Sequence, residues 1–354
     1  MKKAIVIPVM AIFAMGSTAM AEKEFSFDKK LKFDGITVAS ISVDMPSGDI
    51  KIVKSAGSEI EVEFKNVVFA DNEAEAGDLD KKCEYDAKLR GDALDIRVDL
   101  PRRWHNRDFL DRLFSGNWDN NLNLFLKIGI PDGKTVEIRS SSADIEAAGA
   151  KLDLDIRSSS SDVELKDTEG NLSCNLSSGD VDIFRHKGDL TIDGKSSDVR
   201  IDGVAGNVDV HTSSGDGRFD DIGGTVAVSA SSGDYRIYNI GGDLDIRTSS
   251  GDLYVDGAAG SLRAESSSGD IRLCALSAVE GDFEIGSVSG DVTVEINPDF
   301  SGRLLLKSAS GNINSRISAD LESLSDSRLA GMVGDGKGRL NVSTSSGDIR
   351  ITRY

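Results

Sequence analysis

The sequence has few of the residues that build large, irregular cores. Aromatic residues make up 6% of its 354 residues, and it has only 5 prolines against 37 glycines. Hydrophobic residues reach 39%, which is enough for a buried core, but so few rings mean that the core is mainly aliphatic. Frequent glycine indicates a chain that turns often. We therefore expect thin layers of aliphatic side chains built on many turns.

Positive charge is also scarce. Lysine and arginine number 41 against 60 acidic residues, which gives a formal net charge of -19. Nucleic acid is held by clusters of basic residues that release counterions, and no basic run here exceeds a pair such as Arg102-Arg103. We therefore predict no nucleic-acid partner, and the same charge argues against binding to anionic membranes.

Cysteine and histidine are too few to suggest a disulfide scaffold or a catalytic centre. The cysteines are Cys83, Cys174 and Cys274, an odd number for a secreted chain. The three histidines are spread along the chain, and none is paired in the sequence with a serine in a nucleophile turn. We expect no enzyme activity, no cofactor and no metal, with stability coming from packing.

The segment 1–21 has the three parts of a secretory signal peptide. Lys2 and Lys3 precede an apolar run from Ala4 to Met15, and Ala19-Met20-Ala21 forms a small-residue cleavage site. An uncleaved anchor is the alternative, although a membrane span needs about 20 apolar residues. We predict a mature chain that begins at Glu22, has no transmembrane segment, and is exported to the periplasm, the cell surface or the medium.

A repeat with a period of 18 dominates the rest of the chain. The motif Ser-Ser-Gly-Asp and its variants end at an aspartate at every eighteenth position, and a second glycine column runs midway between them. The aspartates of the first column are Asp144, Asp162, Asp180, Asp198, Asp216, Asp234, Asp252 and Asp270.

Each half-repeat alternates polar and apolar residues, as in Asp180-Val181-Asp182-Ile183. Such alternation is typical of a short strand with one buried face, and glycine with serine or aspartate supplies the turns. One coil cannot bury its own apolar side chains, but stacked coils can. We predict an all-β fold, a parallel β-solenoid with 18-residue coils of two short strands each. In this register Cys174 and His186 face inward, whereas Cys274 faces outward and should react with thiol reagents in the folded protein.

The repeat is most regular over residues 144–354. Residues 22–143 are predicted to be a less regular β region with an aromatic insert at 101–120. Residues 313–337 are either a degenerate coil or a loop excursion from the solenoid, and the polar run Ser323–Arg328 favours the excursion. The insert contains both tryptophans, Trp104 and Trp118. It is either a partner-binding projection or a helix that covers the open end of the solenoid, where strand edges would otherwise be exposed.

The column of aspartates has two interpretations. Stacked carboxylates could bind calcium, as in β-roll proteins, but those need a Gly-Gly-x-Gly-x-Asp turn with several oxygens. Here the residues before Gly215-Asp216 are His211-Thr212-Ser213-Ser214. We therefore favour aspartates that cap backbone N–H groups of their own turns, beside glycines with positive φ.

One outward face combines arginine with aromatic residues, a composition suited to stacking on sugar rings and to hydrogen bonding with acidic glycans. The alternative is a solvated sheet face on which the arginines offset Asp202, Asp220 and Asp256 of neighbouring coils. The candidate ligand-binding residues, with the two tryptophans of the insert, are Arg200, Arg218, Arg236, Tyr238, Tyr254, Arg272, Trp104 and Trp118.

The Ser-Gly-Asp-Ile-x-Ile unit at Ser47–Ile52, the ladder of Ser-Ser-Gly-Asp repeats and the closing Ser-Ser-Gly-Asp-Ile-x-Ile at Ser345–Ile351 resemble the bacterial putative-adhesin domain family. The resemblance covers roughly residues 36 to 352 and implies a β-strand-repeat protein of the cell envelope, without a catalytic motif. It favours an adhesin or scaffold for envelope or extracellular glycans or proteins. The alternative is a carbohydrate-active enzyme of the β-helix type.

Overall fold

Most of the described backbone is β-strand, as the alternating pattern predicts. The computed structural model describes residues 23–100, 122–276, 278–279, 281–325 and 327–354. The predicted signal peptide and the whole of the aromatic insert lie outside these residues. None of the helices in the described ranges is long and apolar enough to cross a membrane. The chain divides at Gly170 into two compact units, each described by itself below.

In its described residues, the first unit contains nine strands and one short helix. They are β1 (Lys23–Asp34), β2 (Ser40–Lys54), β3 (Glu59–Ala70), α1 (Glu73–Asp80), β4 (Glu84–Arg90), β5 (Ala93–Asp99), β6 (Leu122–Ile130), β7 (Lys134–Ala148), β8 (Leu152–Ser160) and β9 (Val163–Glu169).

Parallel stacking in this unit already includes β2. The first half of β2 pairs with β5 and β7, and its second half pairs with β6 and β7, all in parallel. β7 in turn pairs in parallel with β8 and β9, one coil further along the chain. Antiparallel strands flank the stack: β3 pairs with β6, β1 with β3, and β4 with β5. The side chain of Asn72 caps the N-terminus of α1, and Ala76 packs against Phe25 and Val68.

Twenty strands lie in the described part of the second unit. They are β10 (Leu172–Ser178), β11 (Val181–Lys187), β12 (Leu190–Ser196), β13 (Val199–Val204), β14 (Val208–Ser214), β15 (Gly217–Ile222), β16 (Val226–Ser232), β17 (Tyr235–Ile240), β18 (Leu244–Ser250), β19 (Leu253–Ala258), β20 (Leu262–Ser268), β21 (Ile271–Leu276), β22 (Asp282–Ser289), β23 (Val292–Ile296), β24 (Gly302–Ser310), β25 (Ile313–Ser315), β26 (Asp320–Ser325), β27 (Arg328–Val333), β28 (Gly338–Ser346) and β29 (Ile349–Arg353).

Two parallel sheets form the coils of this unit, which confirms the predicted β-solenoid. The even-numbered strands β10 to β22 make the first sheet and the odd-numbered strands β11 to β23 make the second. Residues pair with their equivalents in the next coil, as Ile183 does with Ile201 and Cys174 with Ile192. The paired apolar residues are almost completely buried between the sheets. Burying them between stacked coils is what stabilises a repeat that has no core of its own.

Coils do not stack in chain order after β23. The C-terminal strands β28 and β29 pair with β22 and β23, and the earlier strands β24 and β25 pair with β28 and β29 on their far side. The C-terminal segment therefore lies between two coils that precede it in the sequence. Within residues 313–337, β25 continues this last coil, and β26 and β27 form an antiparallel hairpin whose second strand pairs with β24.

The aspartate column links one coil to the next. In the second unit, the Oδ1 of each aspartate from Asp180 to Asp252 accepts a hydrogen bond from the backbone N–H of the next aspartate in the column. Asp216 accepts from Asp234 at 2.9 Å, and Asp234 accepts from Asp252 at 2.9 Å. The expectation that each aspartate caps its own turn is therefore wrong in this respect. The reason is geometric, because parallel strands place identical turns about 4.8 Å apart. The same close stacking requires glycine in the turn. At Gly215, with φ of +130°, a Cβ would lie 2.1 Å from the Ser197 carbonyl oxygen of the preceding coil.

Candidate functional site

Six of the predicted site residues come together on the outward side of the second sheet. The register aligns Arg200, Arg218, Arg236, Tyr254 and Arg272 in one row across β13, β15, β17, β19 and β21. Tyr238 lies further along β17 than Arg236, on the same side of the sheet and in the adjacent row. We call these six residues the arginine–tyrosine face. Trp104 and Trp118 lie outside the described residues.

The strands place these side chains outward because their neighbours point inward. Val199 and Ile201 flank Arg200 and are buried, and Tyr235 and Ile237 flank Arg236 in the same way. Since successive side chains on a strand alternate between faces, the intervening arginine is directed to solvent. The period-2 pattern of the sequence thus specifies the composition of this face.

Aromatic rings support the arginines of the face. The guanidinium of Arg218 lies over the Tyr238 ring at 4.6 Å, and that of Arg200 lies over the Phe184 ring at 5.4 Å. The Tyr238 and Tyr254 rings are 5.7 Å apart and tilted by 50°. Such cation–π contacts hold an arginine in place without neutralising its charge.

Ion pairing on the face is incomplete. Arg218 contacts Asp220 at 3.4 Å, and Arg272 contacts Glu295 at 3.7 Å. Arg200 and Arg236, on either side of Arg218, make no salt bridge within the described part of the chain. Like charges on adjacent strands destabilise a sheet. The row places positive charges on adjacent strands, where they repel one another, although the net charge of the protein is strongly negative.

The alternative interpretation, in which the arginines offset acidic residues of neighbouring coils, holds only in part. Asp220 is paired with the arginine of its own strand rather than with one across the coils. Asp256 accepts a hydrogen bond from the Tyr254 hydroxyl at 3.4 Å. Partial burial raises the pKa of the Tyr254 hydroxyl, so this group remains a neutral donor at pH 7.

Cys274 lies in the row next to the arginines. Its thiol is not accessible, although the sequence predicts that it is. It is only 7% exposed, and its Sγ lies 3.4 Å from Arg272 Nε. The expectation of a reactive outward thiol is wrong because the long side chain of Arg272 covers the short one of Cys274. Cys174 lies in the inward column, as predicted, and is buried.

The first sheet has a different arrangement of charge on its outward side. Arg247 pairs with Asp245 at 2.7 Å, Arg263 with Glu265 at 2.7 Å, and Arg339 with Asp282 at 2.6 Å. A groove of about 580 Å³ crosses β16, β18, β20, β22 and β28, and its lining includes Asp245, Arg263, Asp282 and Arg339. Its arginines are already neutralised by carboxylates, unlike Arg200 and Arg236.

The sequence did not lead us to predict a column of residues with left-handed backbone conformation beside the arginine–tyrosine face. Asp167, Arg185, Asp221, Asn239 and Ala275 all have φ between 49° and 55°, with glycines at 203 and 257 completing the spacing of 18. Each interrupts the alternation of its strand, so that the next residue points inward, as at His186 and Ile240. Asn239 of this column also links two adjacent coils, because its Nδ2 donates to Asp220 Oδ1 at 3.1 Å. The recurrence of Asp, Asn and Gly at the same position of successive coils was the available signal.

Metal ligation finds no support in the described ranges, since no group of three or more His, Cys, Asp or Glu side chains there is arranged to hold an ion. His186, which the spacing predicts to point inward, is buried opposite Val204.

Several solved structures are similar to the chain over nearly its whole length. A putative cell adhesion protein from Clostridium sporogenes is 12% identical, with 92% of this chain and 99% of that chain covered and a TM-score of 0.23. A putative adhesin from Bacteroides fragilis is 12% identical, with 92% and 97% covered and a TM-score of 0.26. A putative lipid binding protein from Parabacteroides distasonis is 10% identical, with 92% and 96% covered and a TM-score of 0.29.

No curated protein matches the sequence. The family model named Toastrack DUF4097 matches twice, over residues 59–244 and 185–352, which together include most of the chain. The Toastrack fold is β-solenoid-like, in agreement with the repeat found in the sequence. The chain therefore belongs to the Toastrack DUF4097 family.

Proposed function

We propose that the protein is an exported, non-enzymatic component of the cell envelope that binds acidic glycans through the arginine–tyrosine face. The observation that supports this proposal is the row of adjacent arginines in which Arg200 and Arg236 make no salt bridge in the described residues, although Asp182 is opposite Arg200 in the strand register. A bound carboxylate or sulfate would relieve the repulsion between them and gain charge-assisted hydrogen bonds.

The aromatic residues of the face suit the same ligand class. Tyr238 and Tyr254 lie beside the arginine row and present ring surface and hydroxyl groups. Sugar rings stack on aromatic faces, while their carboxylates are recognised by guanidinium groups. The parallel strands hold these groups at a fixed spacing of about 4.8 Å, so that little ordering is needed on binding.

Binding to an acidic polysaccharide such as polygalacturonate, compared with neutral dextran, tests the proposal. We expect the wild-type chain to retain polygalacturonate, with an affinity that falls as salt rises. The variant Arg200→Ala/Arg236→Ala should lose most of this binding, and Tyr238→Ala should weaken it. Unchanged binding by both variants would remove this face from consideration and favour the segment that holds Trp104 and Trp118.

A matched control removes the same charge from the first sheet. Arg247→Ala/Arg263→Ala changes the net charge by the same amount but alters arginines that are already paired. We expect this variant to bind polygalacturonate like the wild type. Equal losses in both double variants would mean that net charge, and not this face, governs retention.

Two further measurements address the remaining parts of the proposal. Cell fractionation with N-terminal sequencing should find the mature chain outside the cytoplasm, beginning at Glu22. A pull-down with envelope material distinguishes a glycan ligand, removed by glycosidase treatment, from a protein ligand. Release of shortened polysaccharide during incubation would instead favour the alternative of a carbohydrate-active enzyme.

A further inference from the structure

The strand β26 lies at an open edge of the first sheet. Within the described residues it pairs only with β27, and all six of its residues are exposed. Two of them are leucines, Leu321 at 54% and Leu324 at 67% exposure. An unpaired edge presents a row of free N–H and C=O groups that can accept another strand.

Both leucines continue the core-facing side of the sheet. Leu321 is opposite Gly331, which is itself opposite the buried Leu304. Further along the same three strands, Leu324 of β26 is opposite Leu329 of β27, which is opposite the buried Leu306 of β24. The register shifts by one position at Glu322, and this bulge is what places both leucines on the same side. The apolar inner surface therefore extends beyond the last coil without a cover.

Two edge strands of the first unit carry the usual protection against pairing. β1 contains Lys23, Lys29, Lys30 and Lys32, and β4 contains Lys88 and Arg90. Lysine on an edge discourages the approach of another strand. The sequence of β26, Asp-Leu-Glu-Ser-Leu-Ser, has no basic residue and no proline.

We propose that β26 is a dimerisation strand that pairs antiparallel with β26 of a second copy of this chain. The strand is complementary to itself in this arrangement. With the two-fold axis between Glu322 and Ser323, Leu321 of each copy faces Leu324 of the other. Asp320 faces Ser325 and Glu322 faces Ser323, so no acid faces an acid.

Competing arrangements match less well. A shift of one position in either direction places each leucine opposite a polar residue. An in-register parallel pair would set Asp320 on Asp320 and Glu322 on Glu322, and like charges directly opposite each other are destabilising. In the proposed register the four leucines of the dimer gather on one side of the continuous sheet and cover one another.

The dimer is expected to be weak and concentration-dependent, because a single strand pair buries less than the roughly 1,600 Å² of a standard stable interface. Sedimentation velocity of the mature chain over a range of concentrations should show a rising dimer fraction. Leu321→Lys should abolish the dimer without lowering the melting temperature, since this side chain is mostly exposed. The matched control is Leu89→Lys on β4, which places the same charge on another exposed leucine and should leave the dimer intact.

Cysteine crosslinking tests the register. Leu321→Cys protein mixed with Leu324→Cys protein should form an intermolecular disulfide under mild oxidation. Leu321→Cys alone should not, because the bulge leaves the two copies of residue 321 two regular strand positions apart. That is about 7 Å along the strand and about 5 Å across it, a separation beyond the roughly 7 Å that a disulfide spans.

A monomer at every concentration would overturn the proposal, and so would a dimer that persists in Leu321→Lys. Equal crosslinking by Leu321→Cys alone would overturn the register. Protection of β26 from hydrogen exchange only after envelope extract is added to monomeric protein would show that a foreign strand occupies the edge, which also contradicts self-pairing.

Discussion

The ring of Tyr235 fills the space left by Gly217 in the adjacent coil. A Cβ on Gly217 would lie 2.3 Å from Tyr235 Cδ1, and the two residues are paired in the register of β15 and β17. The hydroxyl of Tyr235 reaches Thr212 Oγ1 at 2.7 Å, and the whole side chain is buried. Glycine at this position in the inward column is therefore matched to a large neighbour.

This pairing predicts a strong coupling between the two positions. Gly217→Val should destabilise the fold by about 1–3 kcal/mol, because an overpacked core must shift its side chains. Adding Tyr235→Leu should recover much of that loss, since valine and leucine fill the same column at Val199 and Leu253. Urea denaturation of the two single variants and the double variant measures the coupling. Additive costs would contradict the packing described here.

Alkaline pH should weaken the fold through its buried tyrosines. Burial raises the pKa of Tyr235, and burial together with the Asp80 carboxylate raises that of Tyr85. The neutral phenol is favoured in the folded state, so its contribution is complete below the ordinary tyrosine pKa of about 10. It is lost as the pH rises through the higher pKa values of the folded state. Tyr235→Phe should show a shallower loss of stability than the wild type above pH 10, and equal slopes would contradict this.

The aspartate ladder predicts that the oxygen acceptor matters more than the charge. Asp216→Ala removes the acceptor for the Asp234 N–H and should cost about 1 kcal/mol. Asp216→Asn keeps an acceptor oxygen, in the role that Asn207 Oδ1 has toward the Thr225 N–H, and should cost less. Chemical denaturation of both variants compares them. A larger loss for Asn than for Ala would contradict this role.

Calcium should be dispensable for the same reason. One oxygen of Asp216 and of Asp234 is already engaged by a backbone N–H of the next coil. EDTA should leave the β-sheet circular dichroism and the melting temperature unchanged. A melting temperature that falls in EDTA and returns with Ca²⁺ would mean that the column binds the ion.

All three cysteines should be inert to thiol reagents while the protein is folded. Cys83, Cys174 and Cys274 are buried and form no disulfide, and burial together with Asp80 raises the pKa of Cys83 to about 12. Raising the pH to 9 should therefore not activate Cys83. Ellman's reagent should find no reactive thiol in the native chain and three after denaturation.

Arg272→Ala should uncover Cys274 and make one thiol reactive without unfolding the protein. Arg236→Ala, which alters the same row without touching the sulfur, is the matched control and should leave Cys274 protected. Reactivity of Cys274 in the wild-type chain would contradict the contact with Arg272.

The composition of the candidate site follows from the sequence, but the state of its charges does not. The spacing of 18 with alternating side chains is enough to align Arg200, Arg218 and Arg236 on one outward row. Which carboxylate each arginine meets depends on rotamers and on distances of a few ångströms. The sequence therefore allowed both a neutralised and an unpaired row, and the structure leaves Arg200 and Arg236 without a salt bridge in the described residues.

The sequence by itself determined the coil length, the inward columns and the two-sheet solenoid, because these depend on a period that every coil repeats. The tertiary structure decided where the repeat gives way. It placed the C-terminal coil between two coils that precede it in the sequence. It also linked aspartates of the column to the next coil by hydrogen bonds, and it covered the Cys274 thiol with the Arg272 side chain. The physical reason is that local alternation fixes which side of a strand a residue faces. The choice of neighbouring strand depends instead on long-range pairing, to which residues far apart in the chain contribute together.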